Sequence, residues 1–278
     1  METREKVRTS VVSGQFYPDD PQILRNQIKG FFARSSSSPQ EDVCALIVPH
    51  AGYDYSGQVA ADAYRLIEAR KFESVVVIAF LHRMYLRGVL VDDVEAYETP
   101  LGRVPVDRER VREIQACDPL FRNTVPGQIE EHSLEVQIPF LQMTVPQLKI
   151  VPVYIGVQDI TNITVLAGAL AKTCENRNTL VVATTDLSHF YPYELAVKKD
   201  TALIKKFEEG NAEALYDSYV KEESEACGMA PVLSLIQLAR RLGWNGPRLI
   251  RYMNSGDVTG DKKSVVGYAA MAFKNSLE

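Results

Sequence analysis

The side chains best able to hold a metal or move a proton in this 278-residue sequence are its four histidines and four cysteines. Three of the histidines share a context. His50 follows the apolar run Val43–Val48 and stands in Pro49-His50-Ala51-Gly52. His82 follows Ser74–Phe80 (SVVVIAF), and His189 comes after Leu180–Thr185 (LVVATT) with Asp186 and Ser188 between. The fourth, His132, sits in the acidic run Glu130-Glu131-His132. Imidazole is the commonest protein metal ligand and the usual general base near neutral pH. Cys227 stands in Glu225-Ala226-Cys227-Gly228-Met229-Ala230-Pro231, just before an apolar-faced segment of helical spacing. A helix N-terminus favours thiolate, the form that ligates metal or attacks carbon. Asp186 can orient a histidine or accept a proton, and Phe16, Tyr53 and Tyr55 can wall a pocket. Each residue also has a plainer reading: a satisfied core histidine, a small buried thiol, a turn-capping aspartate, a half-buried aromatic. Cys44, Cys117 and Cys174 fit the plainer reading, one within a core strand and two ending helices.

The elements that must position these residues follow from pattern. Short continuous apolar runs closed by Pro or Gly read as strands buried on both faces, so the histidines fall on the rim of a sheet. In open α/β sheets ligands collect outside the carboxyl ends of the strands. Val43–Val48, a helix over Gln58–Arg70 and Ser74–Phe80 form a βαβ unit, which puts His50 and His82 at like ends of two parallel, neighbouring strands. Pro21–Ala33 reads as a helix opened by Pro21, and Ser35–Pro39 (SSSSP) as a surface loop. Val89–Val94 and Glu98–Val106 read as extended pieces, Arg108–Ala116 as a helix. A helix starts at Ser133, limited or kinked by Pro139. Lys149–Ile155 is a strand and Asp159–Cys174 a helix. Helices follow near Leu195–Glu208, Ala212–Tyr219 and Pro231–Leu242. Strands Arg248–Met253 and Val265–Phe273, joined by the turn region SGDVTGDKKS, close the sheet. The fold expected is a single α/β domain over residues 1–278, with a mostly parallel central sheet flanked by helices.

Composition narrows the class. The chain is 46% hydrophobic, enough for a substantial core, and its net charge of −5 argues against nucleic acid or an anionic membrane as partner. No apolar stretch approaches the roughly 20 residues of a spanning helix, and METREKVRTS lacks the apolar segment of a signal peptide, so a cytoplasmic protein is expected. The cysteines have no paired spacing, which removes CxxC zinc sites and disulfide frameworks. GxGxxG, GxxxxGK[ST], HExxH and GxSxG are absent, and the dinucleotide, P-loop, zincin and serine-hydrolase readings lose support.

Seven segments, in order along almost the whole chain, carry a resemblance: GQFYPDDPQIL (14–24), VPHAGYDYSG (48–57), YETPLGRVPVD (97–107), EEHSLEVQIPFLQ (130–142), TTDLSHF (184–190), ACGMAPV (226–232) and SGDVTGDKKSVVGYAA (255–270). With them the chain resembles the MEMO family, whose prokaryotic members are called AmmeMemoRadiSam system protein B. The resemblance implies a fold similar to class III extradiol dioxygenases, which hold non-haem Fe(II) with two histidines and a carboxylate. In MEMO-like proteins a cysteine replaces the carboxylate. Carried over, the metal ligands are His50, His82 and Cys227. His189 takes the acid/base position with Asp186 beside it, and Phe16 and Tyr55 line the pocket with His132. The resemblance also implies association with AMMECR1-like and radical SAM proteins. One departure bears on the site: the family's usual GPxH is here Ala79-Phe80-Leu81-His82, which changes the backbone that aims His82.

Three readings follow. The first is a non-haem Fe(II) protein with redox or dioxygenase-like chemistry on a small organic molecule, with copper or zinc as other metals a thiolate-containing site accepts. The second is a non-catalytic module that binds a peptide or partner in the same pocket. The third is a zinc-dependent hydrolase.

Overall fold

A computed structural model describes residues 6–122, 130–175 and 177–276. Residues 1–5 of the N-terminal segment read above lie outside the described residues. In chain order the elements are β1 (Val7–Arg8), α1 (Pro21–Ala33), β2 (Val43–Val48), α2 (Tyr53–Tyr64), β3 (Ser74–Phe80), β4 (Val89–Val91), β5 (Ala96–Thr99), β6 (Gly102–Pro105), α3 (Arg108–Gln115), β7 (Phe121–Arg122), α4 (Ile138–Thr144), β8 (Ile150–Ile155), α5 (Ile160–Cys174), β9 (Thr179–Thr184), β10 (His189–Tyr191), α6 (Tyr193–Glu209), α7 (Ala212–Val220), α8 (Met229–Arg241), β11 (Asn245–Asn254), α9 (Ser255–Thr259) and β12 (Val265–Lys274). Single 3₁₀ turns precede α4 and follow α2.

The main sheet runs β10-β12-β2-β9-β3-β8-β4-β7, with β11 paired along β12. Its centre, β2-β9-β3-β8, is parallel, and β12 and β4 flank it antiparallel. Every residue of β2, β8 and β9 is buried, as strands covered on both faces require. Against β2, β12 and β11 lies α2, backed by α1 and α4; α8, backed by α5 and α7, packs on β9 and β3. A small second sheet, β1-β5-β6, carries the hairpin over Thr99–Gly102, where Gly102 takes φ +116°, a conformation side chains disfavour.

Four details differ from the pattern reading. The strands of His50 and His82 are not neighbours: β9 lies between them, Val48 opposite Thr184 and Ile78 opposite Ala183. The apolar run Leu180–Ala183 of β9 is buried on both faces, and a place at the centre of the sheet supplies that cover. The helix after His50 starts at Tyr53 rather than Gln58, because the Tyr53 backbone N–H donates to the Phe16 carbonyl (2.8 Å) and fixes the first turn at once. Pro139 opens α4 instead of limiting a helix from Ser133. It occupies the first turn, where its missing N–H costs nothing. The stretch SGDVTGDKKS contains α9, capped reciprocally by Asn254 and Asp257. Asp159 caps α5 by accepting from the Asn162 N–H (2.8 Å). Among the described residues no helix is long and apolar enough to cross a membrane.

Candidate metal centre

The carboxyl ends of the parallel strands converge on one corner. His50 follows β2, Thr185 and Asp186 follow β9, and His82 follows β3. From the other side Cys227 arrives one residue before Gly228, the N-cap of α8. Gly228 is required here, since a Cβ would lie 2.1 Å from the Thr184 carbonyl oxygen. Its N–H donates to Thr185 Oγ1 (2.9 Å), and Gln158 after β8 clamps the turn, donating to the Cys227 carbonyl (3.0 Å) and accepting from the Ala230 N–H (2.7 Å).

His50 is the pivot. Its ring is 2% exposed, with Nδ1 3.0 Å from Thr184 Oγ1 and Nε2 3.1 Å from Cys227 Sγ. Its backbone N–H donates to Asp186 Oδ1 (2.8 Å), and Asp186 Oδ2 lies 4.0 Å from Nε2. Burial, joined by the nearby His82 and His132, pushes the His50 pKa well below the usual imidazole value, so the ring is neutral and able to ligate. Burial raises Asp186 to about 6 against the pull of the His50 N–H. Burial, reinforced by the Asp186 charge, also pushes the Cys227 thiol up, although Sγ accepts the Asp186 N–H (3.1 Å). The helix N-terminus therefore does not by itself make a thiolate; a cation at the site would have to.

Among the described residues two groups of donor atoms share His50, each with its atoms within 4.8 Å of one another: His50, His82 and His132, and His50, Asp186 and Cys227. The structure thus brings His82 and Cys227 each to His50 but into separate groups. Ring centroids of the histidine group are 5.0–5.5 Å apart. Phe80 packs edge-on against His82 at 5.2 Å, and Leu81 is buried with its N–H on the Ile155 carbonyl (3.0 Å). His82 reaches the cluster even without the family's usual Gly-Pro. Phe16 packs tilted against His132 at 4.8 Å, while Tyr55, 45% exposed, lies in the first turn of α2. A groove of about 550 Å³ opens beside His82, lined by Phe80, Met84, Tyr85, Gln158 and Tyr219.

His189 stands apart. It belongs to the edge strand β10 rather than to the rim of β9, and it joins neither donor group. Its backbone N–H donates to Glu225 (3.2 Å), which also accepts the Tyr191 hydroxyl (2.9 Å). It still lies near enough for its charge to pull on Asp186.

Residue-type reasoning left Glu131, Thr184, Gln158 and Glu225 without roles. Only Glu131 had a signal, its place beside His132. Its carboxylate is 2% exposed; burial pushes its pKa up, but the His82 ring and the N–H groups of Ser133 and His82 outweigh that and hold it near 2. Another cavity, about 420 Å³, opens at the opposite, amino ends of the central strands beside Cys44, Cys174, Arg70 and Arg241. There α5 and α8 end, and Arg241 answers the negative end of α8.

Fold and site together define the class: an α/β sheet protein with a histidine-rich corner at its strand ends. The chain belongs to the family described as Memo-like protein, which it matches over residues 8–272. It is 36% identical to a MEMO1 family protein of Aeropyrum pernix, over 96% of this chain and 99% of the relative. Those of Methanocaldococcus jannaschii (34%; 95% and 98%) and Aquifex aeolicus (35%; 96% and 99%) are comparably similar. Among solved structures it resembles an uncharacterized protein, JW3007, of Escherichia coli K12 at TM-score 0.53 and 15% identity, covering 82% of this chain and 99% of that one. That likeness is one of fold.

Proposed function

We propose that this corner holds one transition-metal ion, Fe(II) in the leading reading, with His50 as the central ligand and His82 and Cys227 beside it, and that the protein carries out redox chemistry of dioxygenase type on a small organic molecule. The supporting observation is the donor set itself: buried, neutral His50 with Nε2 3.1 Å from a thiol and with two further imidazoles around it. Nitrogen and sulfur donors suit Fe(II), copper or zinc rather than magnesium or calcium. His50 is aimed by Thr184 and Asp186, and the Cys227 turn is clamped by Gln158, so both donors are pre-positioned. When bound, Fe(II) would supply open coordination positions at which oxygen and an organic molecule can meet. Phe16, Phe80 and Leu81 keep the inner side of the corner apolar, and the groove beside His82 gives access. Asp186 and His189 are the groups read as holding and moving a proton. The four free thiols suit a reducing, cytoplasmic setting.

Purified protein stripped with chelator and loaded anaerobically with Fe(II) should take up about one ion per chain and consume oxygen with a catechol-like compound. Equal uptake by the His50→Ala/His82→Ala/Cys227→Ala variant overturns the site. Uptake of metal without turnover favours the peptide- or partner-binding reading, and selective retention of zinc favours hydrolysis.

A further inference from the structure

The histidine group is arranged around one carboxylate. Glu131 Oε2 accepts the His82 backbone N–H at 2.7 Å, and Oε1 lies 3.0 Å from His82 Nδ1. The same Oε1 accepts the backbone N–H groups of His132 and Ser133, both at 2.9 Å, and stands 3.3 Å from His132 Nδ1. One buried side chain thus grips His82 by backbone and ring and His132 by its backbone, with the His132 ring lying close beside it. The grip matters most for His82. It sits beyond the end of β3 in a segment whose Arg83, Tyr85 and Arg87 are exposed, and its side chain is 25% exposed. The second tie between the two segments is Ser133 Oγ, which donates to the Phe80 carbonyl (3.1 Å).

We propose that Glu131 is the positioning residue of the cluster: it fixes His82 with the proton on Nδ1, leaves Nε2 as its free donor atom, and holds the His132 backbone beside it. The chemistry is direct. An ionised carboxylate only accepts hydrogen bonds, so an imidazole nitrogen held 3.0 Å from it carries the proton. In a neutral ring the other nitrogen then has the free lone pair. A carboxylate behind a ligating histidine fixes tautomer and ring orientation and raises basicity, and loss of such a partner typically weakens metal binding about 10–100-fold. Glutamine cannot replace it. Both oxygens accept N–H groups, so whichever way the amide turns, its NH₂ faces a donor or the ring. The proposal rests on the metal reading only for its consequence in affinity; the orientation of His82 is a property of the metal-free chain.

The test uses the full-length protein. Long-range ¹H–¹⁵N spectra of histidine-labelled, chelator-treated protein, with His82 assigned through His82→Gln, should show the Nδ1–H tautomer in the parent and loss of that preference in Glu131→Gln. Competition with a chromophoric chelator should then show zinc bound about 10–100-fold more weakly by Glu131→Gln, with an unchanged circular dichroism spectrum. A parent His82 protonated on Nε2 overturns the proposal whether or not the variant folds, and so does a tautomer unchanged in a folded variant. If the parent has the expected tautomer but binds no zinc, the metal reading fails and the positioning role of Glu131 stands.

Discussion

At the scale of single residues the four cysteines separate by environment. Cys44 lies within β2, 5% exposed, and burial pushes its thiol to about 12. Cys44→Ser places a hydroxyl among apolar neighbours and should cost about 1–3 kcal/mol in denaturant unfolding. Cys227→Ser should cost less stability but more metal; the reverse order would overturn the division of roles. Because the folded thiol titrates above its unfolded value of 9.0, the stability it contributes is complete below about pH 9 and is lost as pH rises towards 12. Parent protein should lose stability over that window more than Cys44→Ala does. His189 is the residue whose role rests most on resemblance. His189→Ala should keep its metal and its melting temperature yet lose turnover by about 10²–10⁴-fold. A folded variant that sheds metal would make His189 a ligand or scaffold instead. The histidines at strand ends and Cys227 before a helix were legible from residue type and spacing. Glu131 was not, because an acid beside a histidine in sequence gives no sign that it also grips a second histidine 49 positions away.

At the scale of elements, the segment from Glu130 to Gln142 does more than its motif suggests. Glu135 accepts the backbone N–H groups of Val11 (2.7 Å) and Val12 (3.1 Å) and the Tyr17 hydroxyl (2.6 Å). Gln137 donates to the Pro49 carbonyl (2.9 Å), just before His50, and accepts the Tyr64 hydroxyl (3.0 Å). Together with Glu131 these side chains tie the N-terminal segment, the β2 end and the β3 end to one short stretch. Glu135→Ala leaves the buried Tyr17 hydroxyl and the part-buried Val11 and Val12 N–H groups without this acceptor and should cost about 1–3 kcal/mol. Amide exchange should rise at Val11 and Val12 while β2 and β9 stay protected; uniform exchange across the molecule would contradict this local role. The strands themselves were legible to the residue for Val43–Val48 and Ser74–Phe80, since an unbroken apolar run has one good use in an α/β protein. The start of α2 and the effect of Pro139 were not: the first depends on Phe16, distant in sequence, and the second on a 3₁₀ turn, Glu135–Gln137, that takes up the residues before α4.

At the scale of the molecule, the carboxyl ends of the central strands gather the chemistry. Strand order decides which residues meet. With β9 between β2 and β3, Asp186 arrives between His50 and His82 and supplies the carboxylate that holds the His50 backbone. Order of this kind cannot be read from apolar periodicity, which tells what is buried and not beside what. The central claim, a metal held around His50, is tested most directly by anomalous diffraction from crystals soaked anaerobically with Fe(II). One peak bonded to His50 Nε2 is expected, with His82 and Cys227 in its coordination sphere, and no such peak in His50→Ala crystals. A parent crystal with no peak at His50, or a peak that persists in His50→Ala, would contradict it.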